Sequence, residues 1–109
     1  MEEKNRVING LKQGYWEDYH SNGQLYSKGH YRNDKRHGLW ENYWYNGQLS
    51  CKCHYHNDKQ HGLWEFYYSN DQLMCKGNFC YGQKQGLWKY YHEDGELEKQ
   101  EFYCEATHE

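Results

Sequence analysis

Histidine and cysteine are the residues of this chain whose types and spacing suggest ligand chemistry. The run Cys51-Lys52-Cys53-His54-Tyr55-His56 has the look of a ligand cluster, and neutral imidazoles facing one another across a strand pair can chelate a divalent metal. Alternation along an extended strand sends Cys53 and His54 to opposite faces, so the run is not one site. The cysteines are Cys51, Cys53, Cys75, Cys80 and Cys104, an odd number without the paired spacing of a secreted scaffold. Cys51 and Cys53 read as small packing thiols on an apolar face. Cys51 and Cys75 occupy the same place in successive hairpins, about 9 to 10 Å apart across two strand spacings, too far to bridge. No Ser/His/Asp order, phosphate-cradling glycine loop or pair of buried carboxylates is present, so no catalytic residue and no cofactor is expected.

Which histidines meet depends on the elements that carry them. Gly14-Tyr15-Trp16, Gly38-Leu39-Trp40, Gly62-Leu63-Trp64 and Gly86-Leu87-Trp88 recur every 24 residues, the mark of a tandem array in which each unit hides its apolar surface against its neighbours. The chain divides into a partial unit at 1–13, full units at 14–37, 38–61 and 62–85, and a degenerate unit at 86–109 that dissolves into Glu98, Glu101, Glu105 and Glu109. Asn22-Gly23, Asn46-Gly47, Asn70-Asp71 and Asp94-Gly95 tolerate positive φ, as the two central residues of a type I′ hairpin require. Counting outward, His20 faces Leu25, Glu17 faces Lys28 and Trp16 faces Gly29.

The register produces pairs that make chemical sense. Trp16 covers Gly29, Trp64 covers Gly77, and Trp40 lies over Cys53. Glu17 with Lys28, Glu41 with Lys52 and Glu65 with Lys76 are opposite charges across the ladder, each contributing roughly 0.2 to 1 kcal/mol. Second turns at Asn33-Asp34, Asn57-Asp58 and Tyr81-Gly82 place His30 opposite His37 and His54 opposite His61, and these four are the candidate metal ligands. The fold class is all-β: a single-layer antiparallel meander of about nine short strands. No segment shows a sustained 3.6-residue apolar period.

Composition sets limits. The mean hydropathy of -1.45 and 36% hydrophobic residues are too low for a thick two-layer core; 13 tyrosines and 5 tryptophans can cover sheet surface instead. Proline is absent, which suits an uninterrupted ladder. A net charge of -3 argues against a nucleic-acid binder, which presents a basic stripe, and against anionic membranes. Without a signal peptide or an apolar run of bilayer length, the protein is expected in the cytoplasm.

The run Lys28-Gly29-His30-Tyr31-Arg32-Asn33-Asp34-Lys35-Arg36-His37-Gly38-Leu39-Trp40 resembles the MORN repeat. The 24-residue spacing is similar to the variant found in bacterial antitoxin-like repeat proteins and in arrays encoded by large DNA viruses. The resemblance implies stacked β-hairpins and is specific for architecture, since such arrays serve many roles. Cys53, Asp71 and the fourth unit depart from the pattern.

The function expected from these features is a non-enzymatic protein-interaction or self-assembly module, a homodimer or longer assembly. Its expected contact surface is the aromatic face of Trp16, Trp40, Trp64, Trp88, Leu25, Leu49, Leu73, Tyr31, Tyr55 and Phe79. The alternatives are a small-ligand or lipid-headgroup binder, through aromatic rows that accept cations, and an antitoxin-like partner of a toxin.

Overall fold

A computed structural model describes residues 3–104; Glu105 and Glu109, with the rest of the fourth unit's last five residues, lie outside the described residues. Ten strands follow in chain order: β1 (Arg6–Ile8), β2 (Leu11–Tyr19), β3 (Leu25–Arg32), β4 (Lys35–Tyr43), β5 (Leu49–His56), β6 (Lys59–Gln60), β7 (Gly62–Tyr67), β8 (Leu73–Cys80), β9 (Gln83–Tyr91) and β10 (Leu97–Tyr103). They form one open antiparallel sheet in meander order, with β6 and β7 sharing the same side of β5. The radius of gyration is 15.7 Å and the thinnest extent 21 Å, against about 13 Å for the radius of a compact chain of this length. One layer of sheet accounts for the difference.

Two kinds of turn alternate, and their chemistry is the reverse of the sequence expectation. Within each unit the Gly23 amide donates to the His20 carbonyl at 3.0 Å and the His20 amide to the Gln24 carbonyl at 2.7 Å. Only the third loop residue is left-handed, with φ of 87° at Gly23, 89° at Gly47, 74° at Asp71 and 94° at Gly95. That is a three-residue loop with a type I turn and a terminal bulge, not a two-residue type I′ turn. The type I′ turn occurs between units, where Asn33 and Asp34 take φ of 49° and 71° and Asn57 and Asp58 take 47° and 70°.

The longer loop slips the register by one residue, and a bulge at Tyr26 slips it back. Tyr19 therefore pairs with Leu25, while Trp16 still pairs with Gly29 and Glu17 with Lys28. His20 does not face Leu25, as counting from a two-residue turn would have it. Because one residue of slip exchanges the faces, Leu25, Leu49 and Leu73 share a face with their partners Tyr19, Tyr43 and Tyr67 and leave the tryptophan face.

A second irregularity builds the core. Between the pairs Lys28 with Glu41 and His30 with His37, three residues of β4 (Gly38, Leu39, Trp40) oppose the single Gly29 of β3. Gly38 absorbs the bend at φ 81°, a conformation costly for any residue with a Cβ. The Trp40 ring then folds back onto Gly29, where an added Cβ would stand 2.1 Å from the indole Cδ2. Trp88 covers Gly77 in the same way, at 2.2 Å. Trp16 and Trp64 are thus the register partners of these glycines, but the rings that cover them come from the strand on the other side. The indole Nε1–H groups of Trp40, Trp64 and Trp88 donate to the carbonyls of His30, His54 and Asn78 at 3.0, 2.9 and 3.0 Å.

The result is a spine of edge-on aromatic contacts along one face. Tyr31 meets Trp40 at 5.0 Å, Tyr55 meets Trp64 at 5.3 Å, and Phe79 bridges Trp64 and Trp88 at 5.1 Å each. Lys12, Arg36 and Lys84, spaced by the repeat, lie over Tyr31, Tyr55 and Trp88 at 4.9, 4.2 and 4.9 Å, adding cation–π attraction and covering the rings with their stems. Cys51, Cys53 and Cys75 fill the gaps as buried thiols.

Turns stack by side-chain ladders. Asn22, Asn46 and Asn70 each donate Nδ2–H to a carbonyl of the next unit (Tyr45, Ser69 and Glu93, at 2.9, 3.2 and 3.0 Å) and accept from the amide two residues on. The fourth copy is Asp94, which keeps the acceptance from the Glu96 amide at 2.9 Å and has no N–H to pass on. His20, Trp44 and Tyr68 form a parallel ladder to Tyr43, Tyr67 and Tyr91 carbonyls at 2.9, 3.0 and 2.7 Å. Trp44 is therefore a ladder donor at a position that needs a polar group at the tip of a ring.

Candidate interaction surface

The two faces of the sheet differ in what they leave exposed. Trp40, Trp64 and Trp88 retain 4%, 5% and 1% of their surface, whereas Leu39, Leu63 and Leu87, their chain neighbours on the opposite face, retain 44%, 43% and 46%. Of the residues expected to form the contact surface, Trp16, Tyr31, Tyr55 and Phe79 are half-buried and packed on the tryptophan cluster. The tryptophan row is consumed as core within the single chain.

The other face consists of three rows running across the strands. The first pairs Tyr15 with His30, Leu39 with His54, Leu63 with Asn78 and Leu87 with Phe102. The second carries charge: Glu17, Lys28, Glu41, Lys52, Glu65 and Lys76 alternate from one strand to the next. The third alternates Tyr19, Leu25, Tyr43, Leu49, Tyr67, Leu73, Tyr91 and Leu97. Glycine-floored grooves lie between the ridges of the first row, one between Tyr15 and Leu39 over Gly29 and another between Leu63 and Leu87 over Gly77.

Two carboxylates of the charge row, Glu17 and Glu41, are held by tyrosine hydroxyls. Tyr19 and Tyr15 donate to Glu17 at 2.6 and 2.7 Å, and Lys4 adds a 3.0 Å ion pair. These bonds, that from Tyr19 foremost, pull the Glu17 carboxyl down to about 2; burial and the bond to Glu17 push Tyr15 up to about 12. Glu41 likewise accepts from Tyr43 at 3.2 Å. The expected ion pairs are thus correct as backbone register, while the ion pair that Glu17 makes is with Lys4.

The four candidate metal ligands are not brought together. His30 and His37 are register partners, and the His61 amide donates to the His54 carbonyl at 2.9 Å. The rings, however, part: His30 packs on Tyr15 at 5.5 Å and His54 Nδ1 bonds the Leu63 carbonyl at 2.8 Å. His37 approaches His56 at 5.8 Å, and His56 in turn approaches His61 at 5.9 Å. Among the described residues no group of three or more His, Cys, Asp or Glu side chains is placed to hold a metal. His56 was missed because it meets the others diagonally, across a turn, and not in register. Burial first, then the Arg32 guanidinium and His56, hold the His37 imidazole below its ordinary pKa. Cys51 donates to Cys53 across 2.9 Å, and that bond together with burial holds its thiol far above the ordinary range, so the Cys51 sulfur is not an activated nucleophile.

The comparisons agree with this architecture. The family model of the MORN repeat variant matches four times, at residues 12–33, 36–57, 60–81 and 84–105, and the chain belongs to that family. Each match begins two residues before the unit boundary drawn from the sequence. No curated protein matches the chain significantly. No helix among the described residues is long and apolar enough to cross a membrane.

Proposed function

We propose that the protein is a non-enzymatic interaction module that binds protein, a second copy of itself included, through the leucine and tyrosine face. The observation that supports this reading is the row Leu39, Leu63 and Leu87, left 43 to 46% exposed at one repeat spacing on a flat face, while the tryptophan face is closed within the chain. Regularly spaced apolar ridges rimmed by charge are what a partner surface presents. Cys51, Cys53 and Cys75, buried as free thiols, suit the reducing cytoplasm as its place of work.

The test is a comparison of the wild-type chain with a Leu39→Ser/Leu63→Ser/Leu87→Ser variant. Light scattering after size exclusion reads self-association, and retention from a lysate of the source cell reads other partners. The expected result is an assembly or a retained protein that the variant loses while its melt is unchanged. A wild-type chain that stays monomeric and retains nothing the variant does not would overturn the reading. Retention on vesicles of anionic lipid, undiminished in the variant, would favour headgroup binding instead.

A further inference from the structure

The charge row breaks once. From Glu17 to Lys76 every cross-strand neighbour is of opposite sign, and the next pair is Lys76 with Lys89, two cations directly opposed where the repeat calls for a glutamate. Like charges in that position destabilise the sheet, and neither lysine has an ion pair among the described residues. The pair stands at one end of the groove between Leu63 and Leu87, a space of about 190 Å³ floored by Gly77. Leu63 and Leu87 lie two strand spacings apart, about 9.5 Å, enough to admit one apolar side chain onto the glycine.

Resting on the reading of this face as a protein-binding surface, we propose that this groove takes a peptide segment of the partner in which an apolar side chain neighbours a carboxylate. The apolar group sits between the two leucines, and the carboxylate bridges Lys76 and Lys89, supplying the negative charge that the fourth unit lacks. A polyanion fits poorly: Glu65 borders the groove on the other side, and Glu41 and Glu17 continue the row. The homologous groove over Gly29 has Lys28 flanked in register by Glu17 and Glu41, so an incoming carboxylate there would meet like charge on both sides and is not selected.

The test is amide NMR on the full chain with the blocked peptide acetyl-Leu-Glu-Leu-Glu-amide and its glutamine counterpart. The expected result is that shifts gather at Lys76, Gly77, Leu87 and Lys89, and that the glutamine peptide binds about tenfold more weakly, the equivalent of ~1.4 kcal/mol. Lys89→Glu restores the repeat; it should abolish the shifts and raise the melting temperature, and Lys89→Gln should weaken binding without loss of fold. Equal binding of both peptides, equal shifts at Gly29, full binding by Lys89→Glu, or complete displacement by inorganic phosphate would each overturn the proposal. A partner or self-association lost on removing the three leucines, with no response to the glutamate peptide, would leave the wider reading standing and sink this one.

Discussion

The tryptophan and leucine faces are made from the same strands, often from adjacent residues, yet one is closed and the other open. Trp40 and Leu39 differ less in hydrophobicity than in what lies under them. Trp40 has a glycine on the preceding strand to lie upon and a carbonyl for its indole N–H. Leu39 projects into solvent beside His54. A single-layer sheet can therefore bury one face without a second layer, provided that large rings fold flat onto glycines of the neighbouring unit. The opposite face is then free to vary in its chemistry.

The largest expected effect divides the faces directly. Trp88→Ala should cost about 3 to 5 kcal/mol in denaturant melts, as for other large core rings, whereas Leu87→Ala should stay within about 0.5 kcal/mol. Comparable losses would break the comparison. Gly77→Ala should cost about 1 to 3 kcal/mol, because the new Cβ meets the Trp88 ring and the ring must lift from the Asn78 carbonyl.

Smaller effects sharpen it. Asn46→Asp keeps the acceptance from the Gln48 amide and loses the donation to Ser69, so the ladder should weaken by about 1 kcal/mol; Asp94→Asn, at the end of the ladder, should change melting little. On the open face, Glu17 has a folded-state pKa near 2, below its value of about 4.3 in the unfolded chain. Its contribution is present above the unfolded value and is lost as pH falls toward 2. His37, also depressed, disfavours its charged form, so stability should decline as pH drops below about 6.5. Melts from pH 3 to 8 on wild type, Glu17→Gln and His37→Gln should show each slope flatten in the matching variant.

Much of this was legible in the sequence. The 24-residue period gave the meander, and Glu17 with Lys28 and Trp16 with Gly29 fixed a register that the structure keeps. The turn types were not legible, because Asn-Gly serves a type I turn with a bulge as well as a type I′ turn. The two one-residue slips also cancel before the first charged pair. The faces of Leu25, Leu49 and Leu73 were lost with them. Which glycine a tryptophan covers depends on the bulge at Gly38 and on the ring's direction, and neither follows from Cα pairing. His20, Trp44 and Tyr68 look like drift until the ladder shows that the ring-tip donor is what they share.

The central claim is that the tryptophan face is closed in the free chain. Hydrogen exchange of the indole Nε1–H groups, followed by NMR at a concentration where the chain is monomeric, tests it most directly. The account predicts slow exchange at Trp40, Trp64 and Trp88, approaching that of the ladder amides. Exchange at those three as fast as in an unfolded chain, under conditions where the backbone amides stay protected, would show the face open and contradict the account.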